Sequence, residues 1–225
     1  MCEQKISYTL RLNELMSFTR LSPCLLCATC QCLVDKQRIG LAKRCSICQI
    51  FCEDEVCVDC LYWKKIIGRD IRHHSCYYYS DFFSEWLERF KRQGDYVLGQ
   101  LFAKEIAYTI ERLKPDIVIP IPSSTEHYQR RGFNQVVVML AFASIGYQEL
   151  IGIKQTQQGA QGSKSKQERL NAEMPFFLEK NSKELLINRS VLLVDDVYTT
   201  GKTLHEAARL IIPYAKTIET FSLCR

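Results

Sequence analysis

Residues 191–204, VLLVDDVYTTGKTL, decide how the rest of this chain is read. Four apolar residues, Val191 to Val194, run straight into Asp195 and Asp196, and a small-residue turn follows at Thr199-Thr200-Gly201-Lys202-Thr203. A short apolar run bounded by turn residues predicts a buried strand, and the turn opens a helix from about Lys202 to Tyr214. In an open α/β sheet ligands collect at the carboxyl ends of strands, which is where the two aspartates fall. Two ionised carboxylates side by side repel unless a polyol or a cation shares the space. Vicinal ribose hydroxyls meet that need, since each donates a hydrogen bond that a carboxylate accepts. Beyond them, the free amides and positive dipole end of the helix suit a phosphate. Gly201 lets the backbone approach, and the hydroxyls of Thr199, Thr200 and Thr203 add donors. Diol acceptors followed by a phosphate cup describe a ribose 5-phosphate site. An ATP-binding Walker loop is excluded, because that motif needs a glycine five residues before Gly201 and Asp196 stands there.

Working outward, strands and helices alternate. Ser75 to Tyr79 reads as a short strand, and Phe82, Phe83, Trp86, Leu87 and Phe90 recur at helical spacing as a core stripe. A helix is expected over 96–113 and a strand over Ile117–Ile121. Next come a helix over Gly132–Ile145, a strand over Glu149–Lys154 and a last strand over Thr217–Leu223. That alternation predicts a parallel α/β sheet with flanking helices over residues 75–225. Residues 155–170 carry almost no apolar side chains, and a polar loop of that length inside a domain is usually functional or disordered.

The chain has 225 residues, a formal charge of +5 and twelve cysteines, ten of them at or before position 60. No window approaches the roughly 20 apolar residues of a membrane span, and the first residues lack the order of a signal peptide, so a soluble cytoplasmic protein is expected. In a reducing compartment such a cysteine cluster points to metal ligation, and residues 1–64 read as a small zinc-binding module. Cys45-x2-Cys48 and Cys57-x2-Cys60 can place four thiolates around one Zn2+. Residues 61–74, LYWKKIIGRDIRHH, interleave aromatic with basic side chains as single-strand binders often do, although Tyr62 and Trp63 are more often core residues than stacking platforms and His73 and His74 read as loop residues.

The signature at 191–203 resembles that of type I phosphoribosyltransferases. With the amino-terminal cysteine pairs, VIPIP at 118–122, RRGFNQV at 130–136, SKQERLN at 165–171 and the ending TFSLCR, the whole chain resembles the ComF family. The resemblance implies phosphoribosyl pyrophosphate (PRPP) bound with Mg2+. Asp195 and Asp196 would be the catalytic pair that holds the ribose hydroxyls. Thr199, Thr200, Gly201, Lys202 and Thr203 would hold the 5-phosphate, and Ser123 and Ser124 the pyrophosphate. Arg130, Arg131 and Asn134 beside that mouth, with Lys164, Lys166 and Arg169 in a closing loop, would contact phosphate or nucleic acid. It further implies a second zinc site that uses an opening Cys-x2-Cys pair; this chain departs from that pattern, with only Cys2 where the pair belongs, and Cys2, Cys24, Cys27 and Cys30 are the candidate ligands. The family role is DNA uptake in natural transformation, with PRPP, single-stranded DNA and a ComFA-type helicase-like ATPase as expected partners. A non-catalytic DNA-binding adaptor and a nucleobase salvage enzyme are the alternatives. The fold and signature license binding more firmly than catalysis.

Overall fold

The computed structural model describes residues 2, 16, 25–40, 43–154 and 176–225. Cys24 and the segment with Lys164, Lys166 and Arg169 lie outside the described residues. In chain order the strands are β1 (His73–Tyr77), β2 (Ile117–Pro120), β3 (Ile151–Ile153), β4 (Phe176–Leu178), β5 (Ser190–Val197) and β6 (Thr217–Cys224). Four of them form one sheet in the order β1-β6-β5-β2, and every neighbouring pair is parallel.

Central strand β5 shows why an unbroken apolar run was needed. Val191 and Leu193 belong to one hydrophobic cluster, Leu192 and Val194 to the other. Successive side chains of a strand point to opposite faces, so both faces of the sheet are covered and neither position can be polar. On one face Phe83, Trp86, Phe90 and Phe102 pack with Ile106 and Met139. They come from the helices α3 (Asp81–Leu87), α4 (Ala103–Leu113) and α6 (Gln135–Phe142) and their flanking turns. On the other face α8 (Lys202–Ile211) lays down Leu204, Ala207, Ala208 and Ile211. The cysteine-rich segment joins both layers. Cys30 and Val34 of α1 (Ala28–Asp35) enter the first cluster, whereas Cys45, Cys48 and Cys60, the last on α2 (Val58–Ile67), enter the second.

Several boundaries differ from the sequence expectation. The strand expected over 149–154 is not part of the parallel sheet: β3 pairs antiparallel with β4 in a separate two-stranded ribbon. His73 and His74, expected in a loop, open β1. His73 is fully buried because hydroxyls of Thr220, Ser75 and Ser222 surround its ring nitrogens at 2.8–3.0 Å. The helix expected over 96–113 is a 3-10 turn at Tyr96–Gln100 followed by α4. There Gly99 passes so close to α6 that a Cβ would lie 2.8 Å from Val138. The helix expected from Gly132 starts at Gln135, after a separate helix α5 (Thr125–Arg131) that ends on Gly132 at φ 82°. The short helix α7 (Ser182–Leu186) precedes β5. No helix among the described residues is long and apolar enough to cross a membrane.

Candidate functional site

Because all four strands run the same way, their carboxyl ends open on one side of the sheet. Asp195 and Asp196 end β5, and the chain after neighbouring β2 reaches Ser123 and Ser124 at the same end, held there by Ile121 N–H donating to the Val194 carbonyl (2.8 Å). Arg225 follows β6, and its carbonyl accepts from the Tyr79 amide after β1 at 2.7 Å.

Asp196 is only 4% exposed and forms an ion pair with Lys91. Asp195 is half-buried, and its Oδ1 accepts from the Asp196 amide at 2.8 Å. Loss of water around it, reinforced by the Asp196 charge, pushes the Asp195 carboxyl up to about 7. One neutralised and one readily protonated carboxylate relieve the repulsion that two bare anions would suffer.

The turn beyond them is shaped by Gly201, whose φ of 76° is the left-handed region. A Cβ there would collide with the Tyr198 ring. Gly201 caps α8 and, having no side chain, offers no side-chain acceptor to the helix's first amides, and the positive dipole end of a helix favours an anion. Asp195, Thr199, Gly201, Lys202 and Thr203 line one small concavity, and Thr200 sits in the same turn. His205 braces it from behind, its Nδ1 2.8 Å from the Gly201 carbonyl oxygen. Burial pushes His205 down to about 4, so it is neutral at physiological pH.

The other expected contacts divide. The Ser124 hydroxyl caps α5 by accepting from His127 N–H at 3.3 Å. Ser123 Oγ donates to Gln135 Oε1 at 3.0 Å, and Arg131 donates to the same oxygen. Arg131 is half-buried and feels the Asp196 charge, while Arg130 is exposed. Asn134 is 7% exposed. Its Oδ1 accepts from Val136 N–H at 2.9 Å to cap α6, and its Nδ2 donates to the Ile121 carbonyl at 3.0 Å. Both ends of the amide hold the loop after β2. Phe133 is core, stacked on Phe90 at 5.6 Å.

Sequence reasoning missed three residues. Lys91 follows a core stripe and carried no sign that it faces Asp196. Trp63 of α2 reaches across 137 positions to donate from Nε1 to the Thr200 carbonyl at 2.9 Å, and its ring stacks on His205 at 4.7 Å. The third, Arg225, is buried beside Tyr198.

In the cysteine segment, the sulfurs of Cys45, Cys48, Cys57 and Cys60 all lie within 4.8 Å of one another. A tetrahedral zinc with bonds of about 2.3 Å separates its sulfurs by about 3.8 Å, so this donor set fits Zn2+. The thiols cannot ionise together unaided. Hydrogen bonding from Cys60 holds Cys48 down to about 5, while desolvation pushes Cys57 up to about 11. A dication removes that conflict. Cys2, Cys27 and Cys30 form a second trio on the same criterion. There the Cys30 backbone amide helps bring Cys27 down to about 7.

Residues 98–225 match the phosphoribosyl transferase domain family. Competence protein ComFC of Streptococcus pneumoniae is 31% identical over 226 aligned residues, spanning 100% of this chain and 98% of that protein. The chain belongs to the ComF family. A second relative, competence protein ComFC of Bacillus subtilis, is 34% identical over 179 residues, covering 76% of this ComF chain and 72% of that one. Competence protein F of Haemophilus influenzae is 28% identical over 137 residues, 56% of this chain and 59% of that protein. The ComF assignment agrees with the parallel sheet and with the four-cysteine cluster.

Proposed function

We propose that the chain binds PRPP with Mg2+ at the carboxyl end of β5 and serves the uptake of DNA during natural transformation. The observation that carries this reading is the sequence of groups along one backbone path: Asp195 and Asp196, then the Gly201 turn, then the first turn of α8. In this reading ionised Asp195 accepts the ribose hydroxyls. The Thr199–Thr203 amides and hydroxyls hold the 5-phosphate, and the loop with Ser123 and Ser124 faces the pyrophosphate. Bound magnesium supplies charge to the pyrophosphate oxygens. Arg131, half-buried near Asp196, adds a fixed positive charge on the side where pyrophosphate leaves. If a nucleophile attacks, its lone pair forms the new bond at the anomeric carbon while the bond to pyrophosphate breaks and takes its electrons away. Zinc at Cys45, Cys48, Cys57 and Cys60 braces α2, and through Trp63 the phosphate turn.

Calorimetric titration of PRPP with Mg2+ into the zinc-loaded protein tests the reading, with Asp195→Ala/Asp196→Ala beside it. Micromolar binding that the double variant loses supports it. Absence of binding to folded wild type overturns it.

A second reading, a single-stranded DNA adaptor working with a ComFA-type motor, is favoured by one face of α2. Tyr62 is 45% exposed there beside exposed Lys65, an aromatic platform next to a cation. Steeply salt-dependent binding of single-stranded DNA, unchanged by Asp195→Ala, supports that reading and is expected to weaken on Tyr62→Ala.

A further inference from the structure

Helix α2 turns Cys60 and Trp63 inward, so its cluster cysteine and its brace to the phosphate turn both serve the interior. Its opposite side is apolar as well. Val58, Leu61, Tyr62 and Ile66 recur at helical spacing and are 80%, 53%, 45% and 42% exposed. A surface helix normally keeps polar residues on its outer face, and a clustered exposed apolar stripe marks an interaction surface. The charges around this stripe are sorted by end. Asp59 lies in the first turn, with Glu53, Asp54 and Glu55 exposed just before the helix. Lys64 and Lys65 lie in the last turn, with Arg69 just beyond it. Lys64 is taken by Asp70 at 2.9 Å, whereas neither Asp59 nor Lys65 has an ion-pair partner among the described residues.

Acid at one end, base at the other and an apolar middle make a face complementary to itself when a second such helix runs the opposite way. An antiparallel pair about a two-fold axis at Tyr62 sets Val58 against Ile66 of the second copy and Asp59 against Lys65 of the second copy, each contact occurring twice. Tyr62 meets its own counterpart, and the opposed helix dipoles add to the match. We infer that α2 is the docking face for a second copy of this chain, the two copies pairing through antiparallel α2 helices. An unrelated partner would need an apolar stripe with the same charges in reversed order, and the chain's own α2 supplies both. A helix of 10 residues is about 15 Å long, so the face is smaller than the roughly 800 Å2 per partner of a standard interface. The pairing is therefore reversible, with a dissociation constant in the micromolar range. It buries Tyr62 and so excludes the DNA platform of the adaptor reading.

The test is analytical ultracentrifugation of the full-length, zinc-loaded protein, stripped of nucleic acid, from low to several hundred micromolar. A concentration-dependent equilibrium between monomer and dimer is expected. Tyr62→Glu sets two like charges against each other on the axis and should weaken the dimer at least about tenfold. Asp59→Lys and Lys65→Glu should each weaken it to a similar degree, because each opposes like charges at both paired positions. Mixing those two single variants should restore pairing as a mixed dimer, in which opposite charges meet at both positions, and the double variant should pair with itself. A loss caused only by damage to the helix would not be rescued by mixing. Zinc content and circular dichroism check that each variant is folded, and should Tyr62→Glu fail to fold, the mixing experiment decides. A monomer at every concentration, a dimer that folded Tyr62→Glu leaves intact, or single variants that stay monomeric when mixed would each overturn the inference. A monomer that binds single-stranded DNA through Tyr62 would overturn it and give the face to nucleic acid instead.

Discussion

Replacing Trp63 by Phe removes one hydrogen bond and leaves most of an aromatic stack. In the native protein the indole Nε1 donates to the Thr200 carbonyl at 2.9 Å while the ring lies parallel to His205 at 4.7 Å. An intramolecular hydrogen bond contributes about 1 kcal/mol net, and a carbonyl left without a donor loses somewhat more when water cannot replace it. Thr200 is half-buried, so partial hydration is available and the expected loss is about 1–1.5 kcal/mol. For a chain of this size that lowers the melting temperature by about 3–5 °C. If the same bond holds the phosphate turn in its binding shape, PRPP affinity falls about five- to tenfold, since a factor of ten corresponds to about 1.4 kcal/mol. Thermal melts, zinc content, PRPP calorimetry and hydrogen exchange at the Thr200–Thr203 amides separate the effects. Faster exchange at those amides, with zinc retained, is the predicted outcome. Unchanged exchange and unchanged PRPP affinity in a destabilised variant would refute the argument that α2 braces the turn.

Other perturbations have equally definite outcomes. Gly201→Ala forces a side chain into a left-handed φ of 76° and into the Tyr198 ring, so a loss of more than about 2 kcal/mol in denaturant unfolding and loss of PRPP binding are expected. His205 has its folded pKa depressed to about 4 from 6.5. Its contribution is therefore present above pH 6.5 and lost as pH falls toward 4, about 3 kcal/mol that His205→Gln should remove from the acid limb of a pH–stability profile. Lys91→Met strands the buried Asp196 carboxylate. Unfolding measurements should find it about 2 kcal/mol less stable than wild type, because the buried carboxylate is left without its cation. Cys48→Ser is expected to lose about one equivalent of zinc by atomic absorption and to lower the melting temperature, because a three-thiolate remnant no longer closes the tetrahedral site.

How much of this was legible in the sequence depended on how local the cause was. The strand at β5 and the turn at Gly201 are written in consecutive residues, and the cysteine pairs announce the four-sulfur cluster through spacing alone. Helix α5 escaped because TEHYQRR buries none of its residues and so carries no apolar stripe. β3 read as a sheet strand because a three-residue segment shows only its own apolar pattern, whereas its antiparallel partner Phe176–Leu178 lies beyond the polar stretch. His73 looked like a loop residue because the hydroxyls that satisfy it, on Thr220 and Ser222, are 147 and 149 positions away. Lys91, Trp63 and Arg225 acquire their roles only when strand ends and α2 converge. No spacing rule joins a tryptophan to a carbonyl 137 residues later. Asn134 is a further case: a polar residue beside arginines suggested phosphate, and nothing local announced the cap and latch bonds that its amide makes at 2.9 and 3.0 Å.

The most direct test of the central claim is a crystal structure of the zinc-loaded protein with PRPP and Mg2+. The expected density has the 5-phosphate on the amides of Thr199–Thr203, the ribose hydroxyls against Asp195 and Asp196, and the pyrophosphate facing Ser123 and Ser124. PRPP density elsewhere on the chain, with the end of β5 empty at saturating ligand, would contradict it.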